Sequence, residues 1–265
     1  MLLALTGASY TSRWSNGNVG IRHCVSVAET VAKFMEPRHP ATPSDPLAAS
    51  AVTKETGRTN DPARTMAEIL AVATHEFADK GLTGARIDAI AAATRTSKRM
   101  IYYYFGNKDG LYLAVLEEAY RRMRAIESDL HLDDLPPMAA LQKLVEFTYD
   151  HHRDNEDFIR LVMNENIQRG DYLRQSNNIQ QLNSTAIRAV RDVYERGVQD
   201  GVFRPGLEPV DIHSAISAFT FFNVSNRHTF GVIFQDKAST AKAQTLKREH
   251  VVELILRFVS HSVPA

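Results

Sequence analysis

Cysteine is almost missing from this chain. Cys24 is the only one in 265 residues, so no disulfide can form within the chain, and a reducing, cytoplasmic setting is the expectation. Long apolar runs are missing too. None approaches the roughly 18 residues that a membrane-spanning helix needs, so no membrane association is expected. The opening MLLALTGA is apolar but short, and no Lys or Arg precedes it, unlike a secretory signal. Catalytic signatures are lacking as well: there is no Gly-x-Ser-x-Gly, no phosphate-binding glycine loop and no His-Glu-x-x-His. No catalytic residue, no cofactor and no enzyme activity is therefore expected. Net charge is absent overall, with 31 basic against 31 acidic residues, but it is unevenly spread. Residues 58–108 carry eight Lys/Arg against five Asp/Glu, and between Arg95 and Lys108 there are four cations and no acid. That local excess sits where a nucleic-acid backbone could lie.

The charge falls in a patterned stretch, IDAIAAATRTSKRMIYYYFGNKDGL, from Ile87 to Leu111. Ile87, Ile90 and Ala91 mark one short helix, and Thr94-Arg95-Thr96 breaks it. Ser97 then opens a second helix at a residue type that accepts hydrogen bonds from free helix N–H groups. Ile101 and Phe105 share the buried face of that helix, while Lys98, Arg99, Tyr102 and Tyr103 fall on the other side. Two short helices joined by a tight turn, the second offering cations and phenols to solvent, can present a helix to a DNA major groove.

Arg64 to Met123 resembles the DNA-binding domain of the TetR (tetracycline repressor) family of bacterial regulators. Ile90-Ala91, Ser97-Lys98, Ile101-Tyr102-Tyr103-Tyr104-Phe105, Lys108 and Leu111 carry the likeness, with Phe77 and Gly81 upstream. Three positions depart from the family pattern. Arg95 stands at the turn position usually held by Gly, where positive φ has a steric cost. Ala85 replaces the Thr usual at the start of the first helix of the motif, leaving Asp88 to reach back to a free amide. Tyr104 replaces a His that contacts phosphate. The resemblance implies a helix-turn-helix at about 86–105 and a homodimer on a palindromic operator in double-stranded DNA, with a small-molecule effector that releases it. The residues expected to meet DNA are Thr96, Ser97, Lys98, Arg99, Met100, Tyr102, Tyr103, Tyr104 and Lys108.

The rest of the chain reads as all-α: an N-terminal three-helix helix-turn-helix DNA-binding domain, then a C-terminal helical ligand-binding and dimerisation domain. Residues 1–60 include Pro37, Pro40, Pro43 and Pro46 at period three; they read as a disordered extension or an over-long translation start with the real one at Met35, in preference to a recognition tail or an arm that adds phosphate contacts. Residues 61–123 form the DNA-binding domain. Asp61 caps its first helix, Pro62 suits the first helical position, and Gly81 ends it. Phe77, Leu82, Ile87, Ile90, Ile101 and Phe105 are its expected core. Residues 124–265 form the effector and dimerisation domain. Leu111, Val115, Ala119, Met123 and Ile126 stripe a long helix entering it, and Phe158, Leu161, Val162 and Ile167 stripe another. A helix from about Leu173 to Gln199 follows. Ile212 to about Phe222 is unusually apolar and runs into a polar stretch at 223–228; a final helix spans about 241–260. The resemblance to the TetR family implies that the last two helices pair with their symmetry mates at a dimer interface.

His151-His152, near Asp150, Asp154 and Glu156, could suggest metal. Adjacent histidines diverge on a helix, however, and no ligand set completes a tetrahedral site, so a polar helix end and no metal are expected. Phe147, His151, Met163, Asn166 and Phe222 are the candidate effector contacts, and they suggest an apolar or aromatic metabolite. A different class of protein would also produce much of this pattern: a helical dimerisation scaffold whose DNA contacts are lost, with Ala85 and Arg95 as the symptoms. Retention of Lys98, Arg99, Tyr102, Tyr103 and Lys108 favours the regulator.

Overall fold

The computed structural model describes residues 61–235 and 240–261; the proline-spaced extension and the alternative start at Met35 lie outside them. Among the described residues there are ten α-helices and no β-strand. They are α1 (Pro62–Gly84), α2 (Ile87–Ala93), α3 (Lys98–Phe105), α4 (Lys108–Ser128), α5 (Pro137–Asp154), α6 (Glu156–Ile167), α7 (Asn177–Gln199), α8 (Pro209–Ser225), α9 (Arg227–Phe234) and α10 (Ala241–Val259). Short 3-10 turns at Leu132–Asp134 and Leu173–Gln175 serve as connectors.

Local chemistry sets most boundaries. The Asp61 carboxylate accepts from the amides of Ala63 and Arg64, with Pro62 at the first helical position. Gly81 interrupts α1 at φ 65°, which costs glycine little. Ser97 caps α3 through Met100 N, and Asn107 caps α4 through Gly110 N at 2.7 Å. Arg95 takes positive φ, 53°, in the turn between α2 and α3, as its position there predicts.

Packing decided the rest. α1 lies against α4 and α6, and its buried face (Ile69, Ala73, Phe77) meets Ile90, Ile101, Leu111 and Tyr112. Phe77 and Tyr112 touch edge to face at 5.1 Å. α5, α7, α8 and α10 enclose a second core around Tyr149, Val193, Ile216 and Ile255. α4 runs straight through the expected boundary at residue 123, and the cluster around Phe77 takes in Leu161 and Ile179 from beyond it.

Several sequence expectations are corrected. The α2 cap is not made by Asp88: Arg86 is the capping residue, and its amide donates to Glu76 Oε1 of α1 at 3.0 Å. Asp88 instead pairs with Lys98. Phe105 is only half-buried, because α3 is short and only its Ile101 reaches the centre of the core. Ile126 is exposed, since the α4 stripe gives way to a buried Glu127 paired with Arg124. Ile167, 78% exposed, ends α6 beyond its last packed turn. The segment starting at Leu173 is a separate 3-10 turn before α7. The apolar helix runs past Phe222 to the end of α8 at Ser225, and α9 begins at Arg227.

Candidate DNA interface and interior cavity

The two-helix stretch builds an exposed face. Arg99, Tyr102 and Tyr103 stand exposed on α3, Tyr103 to 70%. Arg99 makes no hydrogen bond or ion pair among the described residues. Lys98 points at the same side but is tied to Asp88 of α2. Ser97 is spent on its cap, and Thr96 N donates to Ala91 O at 3.1 Å, which closes the turn. Met100 is half-buried. Tyr104 is half-buried too, its ring edge-on to Tyr103 at 5.3 Å and to Phe105 at 6.3 Å. Lys108 begins α4, and its Nζ donates to Thr83 O at 3.3 Å. Of the nine residues expected at DNA, then, Lys98, Arg99, Tyr102 and Tyr103 share the exposed face. Thr96, Ser97 and Met100 shape it from the turn, and Tyr104 and Lys108 border it.

The pair between Lys98 and Asp88 has a readable consequence. Asp88 places an anion beside the face that would approach phosphate. Asp88→Asn should free Lys98 and raise affinity for any DNA several-fold at low salt, while stability shifts by no more than about 1 kcal/mol. Fluorescence anisotropy across a salt series checks this; unchanged affinity would mean that Lys98 does not reach DNA.

Behind this unit lies a cavity of about 500 Å³ that opens to the surface past Gly170, Arg174 and Gln180. α4 supplies Tyr120, Met123 and Arg124; α6 supplies Phe158 and Val162. His152 enters from α5, His213, Ser217 and Phe221 from α8, and Ile179 and Asn183 from α7. Leu173 of the connector closes one side. The connector is anchored twice: Glu165 Oε2 accepts from the Tyr172 and Leu173 amides, and Ser176 Oγ donates to Glu117 of α4 at 2.6 Å.

The five residues proposed from sequence as effector contacts do not line this space. Phe147 and His151 pack on each other, 5.7 Å between ring centres. Met163 packs against the small cluster around Met123 and Phe158. Asn166 is exposed and donates to Val162 O, and Phe222 is exposed on α8. In α5, α6 and α8 the lining positions are the chain neighbours His152, Val162 and Phe221. One residue is about 100° on a helix, and periodicity alone does not say which side of a buried helix faces the void. His213 and Arg124 were missed for another reason. An isolated His in an apolar helix and an Arg on a long helix look structural until the partners across the cavity are known.

The two histidines are not a polar helix end either. Both are buried, with His152 stacked on Phe158 at 6.1 Å and edge-on to Phe221 at 6.2 Å. Nδ1 of each has no hydrogen-bond partner among the described residues. Burial, with the positive neighbours His151, Arg124 and His213, holds the His152 imidazole down at about 3. Burial and Arg124 hold His213 at about 4. Burial and Arg124 also lower His151, against a raising influence from Asp154. An unfolded imidazole takes up its proton near 6.5, so between that pH and about 3 the unfolded chain binds the extra proton at His152. The contribution to stability is present above pH 6.5 and is lost as pH falls toward the folded value. From pH 7 to 5, His152 should remove about 2 kcal/mol of stability. Melting temperatures measured at both pH values should diverge less in His152→Phe than in the wild type; parallel shifts would exclude His152 as a cause.

α4 and α6 connect the cavity to the DNA-facing unit. Beside its cavity residues Phe158 and Val162, α6 carries Arg160, whose Nε donates to Ala78 O, and Asn164, whose Nδ2 donates to Phe77 O at 3.2 Å. Both acceptors are carbonyls of α1 just before its break at Gly81. α4 carries Arg124 at the cavity and Lys108 beside α3.

Known proteins share this arrangement. Residues 69–115 match the family described as "Bacterial regulatory proteins, tetR family", and residues 137–255 match "Tetracyclin repressor-like, C-terminal domain". The HTH-type transcriptional repressor NicS of Pseudomonas putida is 32% identical over 206 residues, covering 77% of this chain and 97% of the relative. The chain belongs to the TetR family. A second TetR-type relative, the HTH-type transcriptional repressor SCO4008 of Streptomyces coelicolor, is 36% identical over 149 residues, 56% of this chain and 74% of that one. The crystal structure of the putative transcriptional regulator SCO4942 from Streptomyces coelicolor superposes with a TM-score of 0.56 at 25% identity, covering 74% of this chain and 98% of that one. As a TetR-family member, the chain is a DNA-binding transcriptional regulator with an N-terminal helix-turn-helix and a C-terminal helical domain. No described helix is long and apolar enough to cross a membrane.

Proposed function

We propose that this regulator is a repressor: a homodimer on a palindromic operator, released when a small molecule fills the interior cavity. The observation that carries this reading is the double use of α4 and α6. Each lines the cavity and also holds a fixed point of the DNA-facing unit, through Lys108 in one case and through the α1 carbonyls in the other. A ligand that displaces either helix would change the tilt of α3 relative to its symmetry mate, and so the match of two recognition helices to successive major grooves. It needs only differential affinity for the two arrangements, about 1–3 kcal/mol of coupling.

On this reading residues 61–123 bind DNA, while 124–265 bind effector and form the dimer. The protein works in the cytoplasm, where its DNA is, without catalysis. DNA contacts come from Lys98, Arg99, Tyr102 and Tyr103 with support from Thr96, Ser97, Met100, Tyr104 and Lys108. Effector contacts come from the cavity wall, with Phe147, His151 and Met163 supporting it from behind. The test is an electrophoretic shift on the DNA flanking the protein's own gene, repeated with candidate metabolites. A shift that no cavity ligand alters would sink the effector half of the proposal, and no shift at all would sink the whole.

A further inference from the structure

Resting on that reading of the cavity as the effector site, we propose that its ligand is a small planar aromatic or heteroaromatic acid, its carboxylate held by Arg124 and His152. Arg124 is the deciding group. Its side chain is only 9% exposed, yet it lines the cavity. Its partner Glu127 engages Nη1 alone, and Nε is buried with no hydrogen-bond partner among the described residues. A guanidinium presents five donors in a planar fork, so a second carboxylate can take the Nε edge without displacing Glu127. Such a charge-assisted, two-point contact is stronger and more directional than one between neutral groups.

The surroundings fit an anion. The field of Arg124 reaches all three imidazoles, His151, His152 and His213, despite the nearby Glu127. No Asp or Glu lines the cavity, and the nearest buried acids, Glu127 and Glu165, stand behind the lining residues Arg124 and Tyr120. His152 is 4% exposed, and neither ring nitrogen has a hydrogen-bond partner among the described residues, so the ring can supply a further N–H donor in the appropriate tautomer. An anion supplies the acceptors that Arg124 and His152 lack; a neutral hydrocarbon would leave both unpaired, at a cost in affinity.

The walls fit a flat ring. Tyr120 meets Phe158 edge-on at 5.3 Å, and the His152 ring lies between Phe158 and Phe221. Apolar aromatic walls with a few convergent polar groups favour ring stacking and fixed orientation. The volume, about 500 Å³, admits a molecule of one or two rings. Asn183, whose Nδ2 is used on Ile179 O, keeps its amide oxygen for a ring substituent.

The experiment is isothermal titration of the full-length protein with benzoate, 2-naphthoate and indole-3-carboxylate, each against its primary amide. At least one acid should bind about tenfold or more tighter than its amide. That preference should vanish in the double variant Arg124→Met/Glu127→Met, which removes both charges together and so leaves neither buried unpaired. His152→Phe provides a second variant, in which acid affinity falls while amide affinity is kept. Amides binding as tightly as acids, an acid preference that survives the double variant, or no saturable heat from any acid would each overturn the proposal. The same compounds are then tested on the protein bound to the DNA flanking its own gene. Acid binding without a change in DNA affinity supports the ligand assignment and overturns the effector reading; DNA release by the amides and not the acids does the reverse.

Discussion

Arg99→Ala is expected to cost about 1–3 kcal/mol on the cognate operator while barely changing affinity for random DNA. Arg99 stands exposed in the first turn of α3 with no partner among the described residues, so its guanidinium is available to paired acceptors on a guanine edge. Lys108→Ala should behave differently. Its ammonium starts α4, where the helix N-terminus adds positive potential, and its contact with Thr83 O orients it beside α3. Losing it should weaken specific and random DNA alike and flatten the salt dependence by about one unit of log–log slope. Binding of both variants to both DNAs over a salt series separates the roles, and equal losses on the two DNAs would refute the division.

Leu254→Glu should convert a dimer into monomers and lower operator affinity by about 100-fold or more, because one half-site no longer tethers the other. Leu254 is 48% exposed on α10, and Phe219 and Phe222 of α8 are exposed with it. Leu246 of α10 and Val232, Ile233 and Phe234 of α9 add to the apolar surface presented by these three helices. Such surface on a monomer marks an interface. Phe258, also on α10, is a poorer choice. It is partly buried in the second core, under the Arg204 guanidinium at 5.2 Å, so a charge there would perturb folding before assembly. Sedimentation at micromolar concentration, with circular dichroism to confirm helicity, gives the answer. A wild-type protein that is itself monomeric would end the dimer reading.

The sequence alone was enough for many of the features that a short stretch of chain controls. Asp61 and Ser97 are caps because their side chains reach amides two or three residues away. The positive φ of Arg95 and the exposure of Lys98, Arg99, Tyr102 and Tyr103 follow from the turn and from 3.6-residue periodicity. The family resemblance rested on the same local order. Contacts between distant segments were decided only by the folded chain. Glu76 takes over the cap that Asp88 leaves, from ten residues away and on another helix. Lys98 loses its freedom to Asp88 across the turn. In the C-terminal half periodicity names the buried positions without saying which neighbour or void they meet, least of all in α8, which is apolar nearly all round. His152 rather than His151, Phe221 rather than Phe222, and the buried guanidinium of Arg124 face the cavity because five helices and a connector converge there. That convergence depends on crossing angles and side-chain volumes summed over the whole domain, which no single segment encodes.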